Sequence, residues 1–345
     1  MKDIWTYLQE TKRPVLIYGM GDGCDKIMAV CKKKNIAIAG IFASDEYVRG
    51  QEACGFRVTT YKEAKQSFPD MIALLAFGVF REDLMEKIKK IATETELLAP
   101  DVPLFGENLF DLAFCRENEE KIRKVYDMLS DDVSRKIYEN IILYKLTGKI
   151  EYLLESESAK AEDLKSLLPY KAGDIYADLG AYDGDTVLEW HNLFPDHGKI
   201  IAFEPNPKTF LKLVNNTKDI ENLENLPYAA WHKAETLTFN GKSGRSAAVS
   251  ESGKIQVEAR ALGEICEKCD FIKFDVEGAE KEAILGAKNL ILKEKPSLCI
   301  SAYHRSEDIF SLAIEVKEIM PEYKVYLRHS PYIPAWDTQF YFIGR

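Results

Sequence analysis

The sequence predicts an α/β protein with two mostly parallel sheets, each wrapped by helices, and a helical segment between them. Three observations carry this prediction. Short apolar runs alternate with amphipathic ones near the N-terminus and again in the last half of the chain. Both stretches contain an apolar run that enters a glycine turn, at Gly19–Gly23 and at Gly180–Gly184. The stretch between them has helical spacing and no strand signal. The expected divisions are an N-terminal Rossmann-like α/β domain over residues 1–105, a helical connector over 106–170 and a second Rossmann-like α/β domain over 171–345.

In the front block, PVLIYGMG reads as a strand entering a turn, DKIMAVCKKKN as a helix and IAIAGIFASD as a second strand ending at Asp45. FRVTTYKEA and MIALLAFG read as further strands, and REDLMEKIKKIA as a helix. In the connector, Ile122, Val125, Tyr126 and Leu129 share one helical face. Ser130 with Asp131 and Asp132 predicts a cap for the next helix, and Gly148 its stop.

The rear block opens with DIYAD, a short β-prone run read as a buried strand ending near Asp178. Gly180 and Gly184 allow a tight turn and close approach of backbone to a ligand. Thr186 opens the helical pattern TVLEWHNLF, and KIIAF delivers Glu204 to the end of a second strand. PKTFLKLVNN reads as a helix, NLPYAAW as the third strand, and ETLTF with KIQVEAR as a local excursion. FIKFD, AEKEAILGAKNLILKE, PSLCISAY and EDIFSLAIEVKEIM continue as strand, helix, strand and helix. YKVYLRH and QFYFIG close the chain, and the short link between them predicts an antiparallel pair.

A strand, a glycine turn, a helix and a strand ending in an acid form a nucleoside-binding half, with Glu204 placed for ribose hydroxyls. Charge selects among nucleosides. Asp178, Asp183 and Asp185 lie in or beside the turn and would repel a pyrophosphate at short range. S-adenosylmethionine has no phosphate, and its sulfonium and ammonium groups are cationic, so it suits the turn better than NAD. The net charge of -10 and the lack of basic clusters argue against nucleic acid as a partner. No long apolar run predicts a membrane span, and the N-terminus lacks a signal-peptide core. Seven irregularly spaced cysteines predict no disulfide framework and a reducing, cytoplasmic setting; Cys266 and Cys269 read as thiols near a helix end.

Four pieces stand in order: DLGAYDGDT (178–186), FEPNP (203–207), DVEGAE (275–280) and AYHRSED (302–308). With them, the last half of the chain resembles the FkbM family of methyltransferases. The resemblance implies methyl transfer from S-adenosylmethionine, commonly to a hydroxyl of a sugar or natural-product acceptor. Carried over by position, Asp178, Gly180 and Gly184 would line the methionine end of the cofactor and Glu204 its ribose, with Ala229 and Ala230 offering backbone near the adenine. Ala181, Asp183, Asp185, Thr186, Pro205 and Asn206 complete the expected cofactor-binding set. Asp275, at the end of a strand, and His304, just past CISAY, are the catalytic candidates. His304 is the expected general base, with an ordinary pKa of about 6.5. Other readings make Asp275 a helix cap and Glu277 a first-turn helix acid, or join Asp275, Glu277 and His304 as donors to Mg²⁺ or Mn²⁺. Arg305, Arg328, His329, Tyr332 and Trp336 are candidates for holding a sugar.

The front turn departs from the dinucleotide pattern G-x-G-x-x-G: Cys24 replaces the last glycine, and Asp22 sits where phosphate would approach. With FASDE and FRVTTYKEA, this block resembles the nucleotide-sugar-binding front domain of sugar acyltransferases, which implies a nucleotide-linked sugar as ligand or a packing role. The leading expectation is an O-methyltransferase acting on a small-molecule or glycan acceptor. The alternatives are a nicotinamide-dependent oxidoreductase run by the front domain and a non-catalytic S-adenosylmethionine- or glycan-binding module. Oligomeric state is left open.

Overall fold

The computed structural model describes residues 2–239 and 255–344. The front sheet has the spatial order Glu52–Ala53, Phe56–Thr60, Ile38–Ala43, Val15–Tyr18, Ile72–Leu75, Glu96–Leu98. Its pairs are parallel except the outermost, where Glu52–Ala53 runs antiparallel to Phe56–Thr60. The rear sheet has the order Lys324–His329, Thr338–Ile343, Ser297–Ser301, Phe271–Phe274, Tyr176–Leu179, Ile200–Phe203, Leu223–Leu226. The five strands from Ser297–Ser301 onward are mutually parallel, and Thr338–Ile343 inserts antiparallel beside them. This is the predicted α/β class with its closing antiparallel pair. Central strands such as Tyr176–Leu179 and Phe271–Phe274 are buried throughout, as continuous apolar runs covered on both faces should be.

Two strand expectations change. FRVTTYKEA is a strand only to Thr60; the Thr60 hydroxyl and the Glu63 carboxylate form a capping box that starts the helix Tyr61–Ser67. NLPYAAW is not one strand, because Pro227 cannot donate to the ladder. Leu223–Leu226 completes the rear sheet, and Tyr228–Ala230 joins Glu235–Phe239 and Ile255–Arg260 in a separate three-stranded sheet. The helix Ile4–Glu10 was unforeseen. Its cap, Asp3, accepts from Thr6 N at 2.8 Å and from Leu112 N at 3.1 Å, tying the start of the chain to the connector.

The intervening helices Leu112–Glu117, Glu119–Met128, Asp132–Thr147, Glu151–Leu154 and Lys160–Leu167 pack in part on the outer rear strand Lys324–His329. The cap of Asp132–Thr147 is Asp131 rather than Ser130, whose hydroxyl instead accepts from Val325 N at 2.9 Å. Gly148 ends that helix with φ 68°. The Arg328 guanidinium reaches Asp131 at 2.8 Å and Asp163 at 3.1 Å. His329 is fully buried against Thr338 at 2.9 Å, and burial pushes its pKa down to about 4. Arg328 therefore fastens helices over a sheet edge and His329 braces the neighbouring strand, instead of facing a sugar.

The two sheets meet at their carboxyl ends. Val79 and Ile333 exchange backbone hydrogen bonds at 2.7 and 2.9 Å, and Phe105 N donates to His304 O at 3.0 Å. One apolar cluster runs through both, from Leu16 and Leu75 to Phe274 and Phe342.

Gly286 lies inside the helix Glu280–Glu294, where alanine would ordinarily stabilise by about 1 kcal/mol. A Cβ there would stand 1.9 Å from Trp231 O. Backbone cannot yield cheaply, so Gly286→Ala should reverse the sign and destabilise by about 1–3 kcal/mol in urea unfolding.

Candidate functional site

The meeting sheets enclose a cavity of about 590 Å³. Its rear wall is built from Gly180, Tyr182, Asp185 and Thr186 of one turn, Glu204, Pro205 and Asn206 of the next, Tyr228 to Trp231, and Lys273, Asp275, Glu277, Tyr303 and His304. Its front wall holds Asp22, Lys26, Phe77 and Phe80, and its rim Tyr332, Trp336 and Asp337. Every contributing rear turn follows a strand, where ligands of open α/β sheets are held.

The sequence candidates divide. Gly180, Asp185, Thr186, Glu204, Pro205, Asn206, Asp275, Glu277 and His304 line the cavity; Asp178, Ala181, Asp183 and Gly184 do not. Asp178 is fully buried beneath the turn, where its carboxylate meets Lys273 Nζ at 2.9 Å and accepts from the Thr186 hydroxyl. Ala181 is fully buried, and Gly184, at φ 93°, caps the helix Asp185–Leu193. Asp183 offers its carbonyl to Asn216 Nδ2 at 2.9 Å. Gly180 has φ 91°, and a Cβ there would lie 2.0 Å from Asp275 O, so the two ligand-facing turns touch through this glycine.

Glu204 is buried at its strand end, and Asn206 N donates to it at 2.7 Å. Burial pushes its pKa up to about 7, against the opposing pull of that backbone N–H and the Lys273 ammonium. Burial also raises the Asp185 carboxyl. For Asp275, burial alone would raise the carboxyl, but the Lys273 ammonium, His304 and a 2.9 Å hydrogen bond from Tyr303 Oη hold it below the ordinary range. Asp275 is thus no helix cap.

His304 is 1% exposed. Nε2 stands 3.6 Å from Asp275 Oδ1 and 3.5 Å from Glu277 Oε2, and Nδ1 stands 2.9 Å from Glu280 Oε1. The Nδ1 approach falls outside hydrogen-bond geometry and leaves that atom without a donor–acceptor partner. Burial lowers its pKa, but the surrounding carboxylates, Glu280 foremost, outweigh burial and raise it to about 10. The expectation of a ready base with a pKa of about 6.5 is corrected: three acids keep a proton on this ring near neutrality. Glu280 itself is fixed by the backbone N–H groups of Val276 at 3.0 Å and Gly278 at 3.3 Å.

Of the remaining sugar candidates, Tyr332 and Trp336 line the rim with ring centroids 5.6 Å apart, and Phe80 stacks on Tyr332 at 5.5 Å. Arg305 instead donates to Gly278 O at 3.1 Å. Sequence reading missed Lys273, Tyr303, Glu280 and, on the front wall, Lys26, Phe77 and Phe80. Lys273 carried a signal: a lysine inside the apolar strand FIKF needs a buried acid, and its register partner is Asp178. Cys266 and Cys269 are free thiols, with Cys266 at the end of the helix Leu262–Ile265, as read from the sequence. Among the described residues no helix is long and apolar enough to cross a membrane.

Comparison with known proteins gives the site a context. The chain is similar in fold to the methyltransferase FkbM of Methylobacillus flagellatus KT, with TM-score 0.72 and 21% identity, over 95% of this chain and 89% of that one. It is 24% identical over 151 residues to the 2-O-methyltransferase NoeI of Sinorhizobium fredii, an alignment covering 36% of this chain and 62% of the relative. The chain therefore spans about three-fifths of that relative's length. Residues 11–97 match the family model described as C2185-like, N-terminal, which does not itself speak of nucleotide sugars. Residues 178–327, which contain all four ordered motifs and most of the rear wall of the cavity, match the family model described as the methyltransferase FkbM domain.

Proposed function

We propose that the cavity binds S-adenosylmethionine along its rear wall and transfers the methyl group to a hydroxyl of a carbohydrate-type acceptor held against the front wall. The observation that carries this reading is Glu204, a buried carboxyl at a strand end beside a glycine turn whose own acids disfavour phosphate. Such a carboxylate accepts from both ribose hydroxyls. Asp185 and the cavity's other acids suit the cationic methionine end. Oxygen as the methylated atom is supported by the name of the Sinorhizobium relative. A polyol is supported by Phe80, Tyr332 and Trp336, flat apolar faces next to the polar groups Asp22 and Asp337. The front turn keeps an acid where a phosphate would approach, so the sugar part of any nucleotide-linked acceptor would be the part bound there.

In this mechanism the chain's main contribution is position. Walls from two sheets hold the acceptor oxygen in line with the sulfonium methyl group. Asp275, oriented by Tyr303 and His304, accepts the hydrogen bond of the reacting hydroxyl. The O–H bond would break as oxygen takes the methyl group, with the proton passing to the Asp275 carboxylate and on to solvent and the C–S electron pair staying on sulfur.

Calorimetric titration with S-adenosylhomocysteine tests the cofactor site: binding of one per chain is expected, and its absence from folded protein would overturn the reading. Glu204→Ala should weaken that binding by roughly 1.5–3 kcal/mol. Because Glu204 has its pKa raised to about 7, it loses its charge as pH falls through neutrality. Affinity should then drop by up to about tenfold per pH unit below 7, with a plateau above, and Glu204→Gln should flatten this profile. With an acceptor found by screening sugars, Asp275→Asn should lower kcat by about 10²–10⁴ while leaving S-adenosylhomocysteine affinity intact. Lost affinity would instead make Asp275 part of the cofactor site.

A further inference from the structure

We propose that Asp275, Glu277 and His304 hold a divalent cation of the oxygen-preferring class, Mg²⁺ or Mn²⁺, on the cavity wall, with Glu280 orienting the imidazole from behind. The geometry is that of a compact donor set. His304 Nε2 stands 3.6 Å from Asp275 Oδ1 and 3.5 Å from Glu277 Oε2, and all three residues line the same cavity. Adjacent donors around an octahedral ion with bonds of about 2.1 Å lie about 3.0 Å apart, so His304 Nε2 needs to close on each of the two carboxylates by only about half an ångström. Donor atoms of Asp275, Glu280 and His304 also lie within 4.8 Å of one another.

The second observation is His304 itself. It is 1% exposed, yet no hydrogen bond satisfies its Nδ1, and its Nε2 contacts exceed hydrogen-bond length. Glu280 Oε1 lies 2.9 Å from Nδ1 and is fixed by the Val276 and Gly278 amides. With Nδ1–H turned to Glu280, a bound cation would displace the second proton from Nε2 and take its lone pair between Asp275 and Glu277, the carboxylate–histidine–metal arrangement common to metal sites. Formal charge points the same way. Asp275, Glu277 and Glu280 surround one imidazole, and the Lys273 ammonium, 3.9 Å from Asp275, is paired to Asp178 at 2.9 Å.

The backbone is shaped to the same end. Glu277 has φ 54°, a conformation that favours glycine, and it is followed by Gly278 at φ 87°, whose Cβ would meet Phe105 at 2.9 Å. The role of the cation rests on the methyl-transfer reading: ligated to the acceptor hydroxyl, it would acidify the O–H, whose proton leaves to solvent as the oxygen takes the methyl group from sulfur.

Protein stripped with a chelator and desalted should be titrated with MnCl₂ by calorimetry and by the loss of free-Mn²⁺ electron paramagnetic resonance. One Mn²⁺ per chain is expected. Asp275→Asn and Glu277→Gln should each weaken it at least tenfold, and the exposed control Glu318→Gln should not. Circular dichroism and thermal unfolding establish that each variant is folded. Absence of Mn²⁺ binding by folded wild-type protein, or binding that both site variants leave unchanged, overturns the cation site. Mn²⁺ binding lost in the variants upholds it even if S-adenosylhomocysteine fails to bind, in which case the methyl-transfer reading alone falls.

Discussion

The ion pair between Lys273 and Asp178 is the constraint on which the rear wall depends. The two residues face each other across adjacent parallel strands in the middle of the sheet, and both are almost wholly buried. Removing either partner would leave an uncompensated charge at a cost of about 3–5 kcal/mol. Lys273 also donates to Gly180 O at 3.2 Å, so one ammonium fixes the glycine turn to the strand that carries Asp275. Gly180, packed on Asp275 O, sets how close the two turns come. Lys273 helps hold Asp275 ionised and moderates the rise at Glu204. One lysine thus controls both the shape and the charge of the cavity.

The front sheet gives that wall an opposite face. Its turn Gly21–Gly23 and the segment Ala76–Phe80 lie across from the rear turns because Val79 pairs with Ile333. Gly78 is required by the same contact: a Cβ would fall 2.6 Å from Tyr332 Oη and 2.9 Å from Trp336. Lys26 spans the wall, reaching Asp22 at 3.3 Å and Leu104 O at 3.1 Å. A cavity closed on two sides can exclude water from a methyl transfer, which a single open sheet cannot do as well.

The fold was legible because both sheets announce themselves locally. Strands such as VLIY and IIAF are buried on both faces, so their apolar runs needed no tertiary information. What escaped is what local pattern does not encode. Tyr61 to Ala64 looked like a continuation of the strand because the capping box that starts their helix needs Thr60 and Glu63 together. Arg328 and His329 looked available because nothing in YKVYLRH shows that Asp131, Asp163 and Ser134 will cover that edge. At the site, the motifs located the turns but not the direction of each side chain. Asp178 points down to Lys273 and Glu204 toward the cavity, though each stands at a strand end. His304 was found by its motif, while its state is set by Glu277 and Glu280, which seemed ordinary residues of a helix start.

Both glycine turns carry an acid where a dinucleotide-binding turn would leave room for phosphate, Asp22 in front and Asp185 behind, and both acids line the one cavity. A group entering from either side meets negative charge in a partly apolar setting, where repulsion of an anion is only weakly screened. Whatever occupies the rear must be neutral or cationic near the turn, which is the character of a sulfonium amino acid. Whatever occupies the front must present hydroxyls or apolar faces, which is the character of a sugar ring. The cluster of Asp275, Glu277 and His304 lines the same cavity, and there three carboxylates, Glu280 included, surround one imidazole while Lys273 is already committed to Asp178. The same acidic character that disfavours phosphate at both turns therefore favours a positive charge at this cluster.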